Sequence, residues 1–416
     1  MANFGANCIF NCADKAAIVL TSNSLACASR YRLRTPMEEK MNSGPVTSSR
    51  KKITIVDTDV HHCYRTKSEL FPYLSKFHAE RFEEFGFGGI EMDPHSSSGG
   101  YHGTRVDFEA QENGELFGSN GDALSCGKRL LDAYGIDVGI LTGGPAQLAS
   151  ALADVDYGSA ICRAFNDYSM EHWIAKDSRL RLNLAINSQD PLGAATEIDR
   201  LGSHPSVCGI MLSCGAPRPF GQRFYHPIYE ACARNGLAVT MHFGSEGLGI
   251  NPPPSSAGWP SYYIEMRMLR PQFYAVHLSS FIFEGVFEKF PALKVGMVES
   301  GFAWVPPLMW KMDLDWKGLR RLTPWVKRLP SEYLIDHVRF GTQPLDEPAD
   351  PEAMKQIINW IDGSRTLMFA SDFPHWDADD PTMTLSDQPE ALRRRIFAEN
   401  AIETYNLLLP AISQAA

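Results

Sequence analysis

Eight short apolar runs recur along the chain after residue 52, separated by stretches with helical spacing. "ITIVDTDV" (53–60) is the first. "GIDVGILTG" (135–143), "SRLRLNLAINSQDP" (178–191), "VCGIMLSCG" (207–215) and "GLAVTMHFG" (236–244) follow. "LKVGMVESG" (293–301), "HVRFGTQP" (337–344) and "RTLMFASDFP" (365–374) complete the set. Runs that are apolar almost throughout are the pattern of strands buried on both faces. Between them, 158–176 carries apolar residues at helical spacing, 190–202 has an acidic start and a Gly stop, and 226–236 ends in a C-cap Gly. The stretch 262–291 contains Pro271 and is expected as two helices or one kinked helix, and 387–408 closes the pattern as a helix. Eight strands alternating with helices predict a (β/α)8 TIM barrel over 53–410.

The barrel is longer than the usual length of about 250 residues. Most of the surplus falls at 62–134, between the first two strands, in a segment rich in Phe, Gly and Ser. This is an insertion after the first strand, expected as a lid over the barrel mouth. Residues 1–52 have no sustained period and are expected to be a disordered extension.

Composition narrows the function classes. The 416-residue chain is 44% hydrophobic and 21% charged, ordinary for a globular protein. A net charge of −10 argues against nucleic acid and anionic membranes as partners. No apolar run is long enough to cross a bilayer. Nine cysteines, none in a C-x-x-C pair, fit a reduced, cytoplasmic chain better than a disulfide framework.

The chemistry gathers where strands end. Asp59 and His61 lie two apart on the first strand, so both side chains leave the same face. A carboxylate and an imidazole converging on one point are what a divalent metal requires. His242 ends the fifth strand, Glu299 the sixth and Asp372 the eighth. In a parallel barrel these ends meet at the C-terminal face, where barrel active sites lie.

The stretches "VDTDVHH", "HPIYEACARNGLAVTMHFG", "GVFEKFPALKVGMVESGFAW", "FASDFPHWD" and "RRIFAENAIETYNL" together resemble the amidohydrolase-related barrels, in the group that contains aminocarboxymuconate-semialdehyde decarboxylase and the resorcylate-type decarboxylases. The resemblance spans about 53–408. It implies one divalent metal, zinc first and manganese second, held by Asp59, His61, His242 and Asp372. Two departures stand out. Many relatives carry His-x-His where this chain has Asp59-Val60-His61, and the decarboxylase has an acid/base His where this chain has Glu299. No lysine lies between Lys176 and Lys289, so the fourth and fifth strands supply no carboxylated lysine to bridge two metals.

Asp372 is the expected proton handler, and Glu299 either shares that role or orients a ligand. Substrate contacts are expected from Arg65, Arg105, Phe243, Trp304, His277 and His375, each with a structural alternative: packing for His277 and the two aromatics, a solvated surface for the arginines. His62 faces opposite His61 on the strand, so it is expected either in barrel–helix packing or at the start of the loop. The missing acid/base His favours a hydrolase that uses metal-activated water on a small carboxylated or aromatic substrate. A metal-dependent non-oxidative decarboxylase of a small aromatic or unsaturated acid is the alternative, and a non-catalytic ligand-binding barrel the third reading. The resemblance also implies a homodimer.

Overall fold

The computed structural model describes residues 53–86, 105, 108–112, 115–118 and 121–408. The extension 1–52 and residues 87–104 of the expected lid lie outside the described residues.

All eight expected strands form. They are β1 (Val56–His61), β2 (Val138–Thr142), β3 (Leu180–Ala185), β4 (Val207–Ser213), β5 (Ala238–His242), β6 (Val295–Val298), β7 (Val338–Gly341) and β8 (Leu367–Met368). Each pairs in parallel with the next in sequence, giving one eight-stranded sheet in chain order. The ring closes just past β8. Val60 pairs in parallel with Phe373, and the His61 N–H donates to the Phe373 carbonyl at 2.8 Å. Closure therefore joins the same two segments that carry Asp59, His61 and Asp372.

Every residue of β1 to β7 is buried, as near-continuous apolar runs demand. Most of the core lies between strands and helices. A smaller cluster packs Val56, Val138, Ile140, Ala238 and Met368 against Ala401 and Tyr405 of the C-terminal helix Asn400–Tyr405. Tyr405 reaches in far enough for its hydroxyl to lie 3.0 Å from that of Thr240 on β5. Gly296 makes this possible, since a Cβ there would stand 2.6 Å from the Tyr405 hydroxyl.

The helices follow the sequence pattern closely. Val155–Ser169 starts at Asp154, whose side chain accepts the Tyr157 N–H. His226–Asn235 stops at Gly236 in the left-handed conformation. The 262–291 stretch holds two helices: Tyr263–Phe283, which contains Pro271, and the short helix Val286–Lys289. Among the described residues, no helix is long and apolar enough to cross a membrane.

The described part of the insertion contains helix Lys76–Phe85 and an antiparallel hairpin of Glu109–Glu112 with Glu115–Gly118. The Arg105 N–H donates to the Pro374 carbonyl at 2.9 Å, and Phe108 packs edge-on against Phe373. This stretch thus leans on the loop that follows β8.

Candidate metal centre

Asp59, His61, His242 and Asp372 meet at the C-terminal mouth, with one ligand atom from each within 4.8 Å of all the others, and all four are buried. The His61 Nε2 is 3.1 Å from Asp372 Oδ1 and 3.6 Å from Asp59 Oδ1. The His242 Nε2 is 3.6 Å from Asp59 Oδ2 and 3.1 Å from His61 Nε2. Close backbone packing sets the ring positions: a Cβ on Gly143 would stand 2.4 Å from His61 Nδ1, at a φ of +73° that glycine adopts without strain.

These side chains fit a divalent ion. The His242 Nδ1 hydrogen-bonds the Phe243 carbonyl, which puts the proton on Nδ1 and leaves the Nε2 lone pair facing the cluster. The Thr142 hydroxyl fixes Asp59 by donating to Oδ1. The second oxygens, Asp59 Oδ2 and Asp372 Oδ2, are buried without any hydrogen-bond partner. Orphaned carboxylate oxygens at this depth are costly unless a cation meets them. Donors about 2.1 Å from a common ion lie at most ~4.2 Å apart, so small shifts close the cluster on one. Among the described residues this is the one such grouping, a single candidate divalent metal site.

The surrounding charge is tightly balanced. Burial lifts the Asp59 carboxyl well above its usual range, and the charges of Asp372 and Glu299 add to it. Burial acts on Asp372 in the same direction, but the charge and hydrogen bond of His375, with that of His61, overcome it and hold Asp372 ionised. The His375 Nδ1 sits 2.6 Å from Asp372 Oδ1, and this partner raises the imidazole to about 9 against the effect of burial. Burial lifts Glu299 to about 7 although Arg270 pulls it down. Arg270 Nη1 lies 2.6 Å from Glu299 Oε1, and Glu299 Oε2 lies 3.2 Å from His242 Nε2. Asp372 and Glu299 both have left-handed backbones, φ 61° and 53°. Such strain in non-glycine residues costs of order 1–3 kcal/mol and concentrates at functional sites.

The structure sorts the expected substrate contacts. His375 is at the mouth, its ring centroid 4.4 Å from that of His61. Phe243 is there too, with the Arg270 guanidinium 4.4 Å from its ring centre. The others are engaged elsewhere. Both nitrogens of His277 hold backbone, accepting from the Phe220 N–H at 3.2 Å and donating to the Cys214 carbonyl at 2.9 Å. Trp304 donates to the Ser300 carbonyl at 2.9 Å and packs edge-on against Phe340. Arg65 lies 3.6 Å from Asp122, and Arg105 donates to the Ala378 carbonyl and the Tyr134 hydroxyl. His62, as expected, packs outward against Phe165 and Trp173. The arginine that does reach the centre, Arg270, is not singled out by the sequence. It lies mid-helix in "MRMLRPQ", and its inward position depends on how helix Tyr263–Phe283 crosses the mouth.

The sequence pattern of the family described as amidohydrolase matches residues 127–407. A curated relative, gamma-resorcylate decarboxylase of Polaromonas sp. strain JS666, is 26% identical over 308 residues, 67% of this chain and 86% of the relative. Among solved structures, an amidohydrolase from Mycobacterium avium subsp. paratuberculosis K-10 superposes with a TM-score of 0.65 at 18% identity, over 85% of this chain and 99% of that one. A dihydroxybenzoic acid decarboxylase from Polaromonas sp. JS666, with bound manganese and the inhibitor 2-nitroresorcinol, gives 0.58 at 20% identity, over 85% and 97%.

Proposed function

The chain belongs to the amidohydrolase family, and from that membership we propose that it is a metal-dependent, non-oxidative decarboxylase of a small aromatic acid. The observation that carries this reading is the curated decarboxylase relative, matched over 86% of its length. Hydrolysis, which the missing acid/base His favours on sequence grounds, has less support. The physical objection to decarboxylation also weakens, because the mouth has another proton carrier in His375, bonded to Asp372 at 2.6 Å.

Asp59, His61, His242 and Asp372 would hold one divalent ion. Two carboxylates with two imidazoles make a harder donor set than one rich in histidine, which favours manganese, with zinc second. The manganese in the Polaromonas structure agrees. When bound, the ion would supply the charge that offsets this carboxylate cluster and polarises oxygen atoms of the substrate.

The remaining roles belong to the chain itself. Thr142 and the Phe243 carbonyl orient Asp59 and His242. Arg270, stacked on Phe243 and paired with Glu299, offers a fixed positive charge for an anionic substrate and holds Glu299 in place. In the reaction the bond between the ring carbon and its carboxylate breaks. Carbon dioxide leaves, the electron pair stays on the ring carbon, and a proton from the Asp372–His375 pair joins it there.

The test is to strip the protein with chelator, reload it with manganese or zinc, and offer hydroxylated aromatic acids beside esters, amides and lactones. Stoichiometric carbon dioxide release from one of the acids is the expected result. Hydrolysis without carbon dioxide release would move the assignment to a hydrolase, and inertness towards every substrate would favour a binding protein.

A further inference from the structure

The opposite end of the barrel holds a second concentration of charge. A cavity of about 500 Å³ opens there, and Lys294, Arg328, Arg339, Arg365 and Arg395 contribute to its walls. Lys294 immediately precedes β6, Arg339 is the second residue of β7, and Arg365 lies two residues before β8. These are strand beginnings, so the cavity lies at the N-terminal face, away from the candidate metal centre. Conserving a barrel requires no cationic pocket at that face, whose usual contribution is stability.

Five cations line the cavity against three carboxylates, Glu288, Asp336 and Glu403. Each carboxylate is already committed. Asp336 is shared by Arg328 and Arg365, the latter at 2.7 Å. Glu403 takes both ends of the Arg395 fork, at 2.6 and 3.0 Å. Glu288 pairs with Lys327 at 2.7 Å. Lys294 and Arg339 are left with backbone alone. Lys294 Nζ donates to the Asp336 carbonyl at 2.7 Å, and Arg339 Nη1 donates to the carbonyls of Ile335 and Val338 at 3.0 and 2.9 Å. Arg339 is 6% exposed, and its Nε is buried without any partner. Burial, then the charge of Arg365, presses Arg339 down to about 10, and burial followed by the charge of Arg339 lowers Lys294.

Glu403 and Asp336 act on Arg339 only from a distance and are shared with Arg395, Arg328 and Arg365, so the buried guanidinium lacks a carboxylate of its own, a deficit an anion in the cavity would offset. We propose that the cavity at the N-terminal face binds a small oxyanion of at least two negative charges, of the phosphate or polycarboxylate class, through Arg339, Lys294 and Arg365. Arginine forks and a lysine point charge around a walled cavity are the chemistry that recognises such groups. Occupancy adds to stability in proportion to the logarithm of ligand concentration, so the site links folding to anion supply.

The experiment is calorimetric titration of the metal-loaded protein with inorganic phosphate and, separately, citrate, at constant ionic strength, with melting temperature followed in parallel. Arg339→Met, Lys294→Met and Asp59→Asn are compared with the parent; Lys294→Met, at a less buried position, covers the case in which Arg339→Met fails to fold. The expected result is saturable binding with a matching rise in melting temperature. It should weaken at least tenfold in the Arg339 or Lys294 variant, persist in Asp59→Asn, and leave kcat of the Lys294 variant unchanged. The stronger of the two anions identifies the class. Absence of saturable binding, or binding lost in Asp59→Asn alone because the anion sits at the metal centre, would overturn the proposal. Since the cavity and the Arg339 and Lys294 variants lie at the face opposite the mouth, neither result depends on which reaction the mouth performs.

Discussion

Arg270 holds one side of the site's electrostatics, and the sequence does not point to it. It is buried beside Glu299, and removing it strands a carboxylate that already resists ionisation. We expect Arg270→Met to cost about 3–5 kcal/mol of stability, as when a buried pair loses one member, and to lower kcat/KM by ~100-fold or more through lost positioning. Arg270→Lys should recover little, because a point charge does not replace the planar fork. Denaturant melts and steady-state kinetics on the two variants check both statements. Asp372→Asn should reduce kcat by ~10²–10⁴-fold; turnover at the parent rate would remove Asp372 from the mechanism. His277 tests a different kind of burial. Its folded pKa is lowered to about 4 by desolvation, against 6.5 in the unfolded chain, so its contribution is present above pH 6.5 and is lost as pH falls toward 4. That difference corresponds to about 3 kcal/mol. His277→Gln should therefore lose less stability than the parent between pH 6.5 and 4, as measured by urea unfolding at several pH values.

At the scale of elements, the strands were legible because burial on both faces leaves an unbroken apolar run, as "CGIMLS" at 208–213 does. Ligands at strand ends were legible for a related reason: the two-residue period puts Asp59 and His61 on one face, and the parallel barrel gathers the ends. Helix crossings carry no comparable code. Arg270 and His277 lie on one helix, seven residues apart, yet the first meets Glu299 and the second holds the Phe220 and Cys214 backbone. A histidine in an apolar helix and an arginine before a proline look alike in either role until the helix is placed. The contact between the C-terminal helix and β6 makes an element-scale prediction. Gly296→Ala should destabilise by about 1–3 kcal/mol, as overpacking does, since the new methyl meets the Tyr405 hydroxyl. Tyr405→Phe should relieve much of that clash, so the double variant should be more stable than the two single effects predict when summed; unfolding free energies of all four proteins decide it.

At the scale of the molecule, the barrel separates two sites by polarity of strand: an anionic, cation-seeking cluster where strands end and a cationic cavity where strands begin. The described part of the insertion reaches the loop after β8 through Arg105 and Phe108. Shortening that insertion should raise KM more than it changes metal affinity, because the four ligands come from the barrel itself. The most direct measurement for the whole account is the stoichiometry and affinity of manganese binding to chelator-treated protein, by titration calorimetry with elemental analysis, in the parent and in Asp59→Asn. One ion per chain in the parent, with affinity reduced at least tenfold by the substitution, is the result the account predicts. No bound ion, or binding that ignores the substitution, would contradict it.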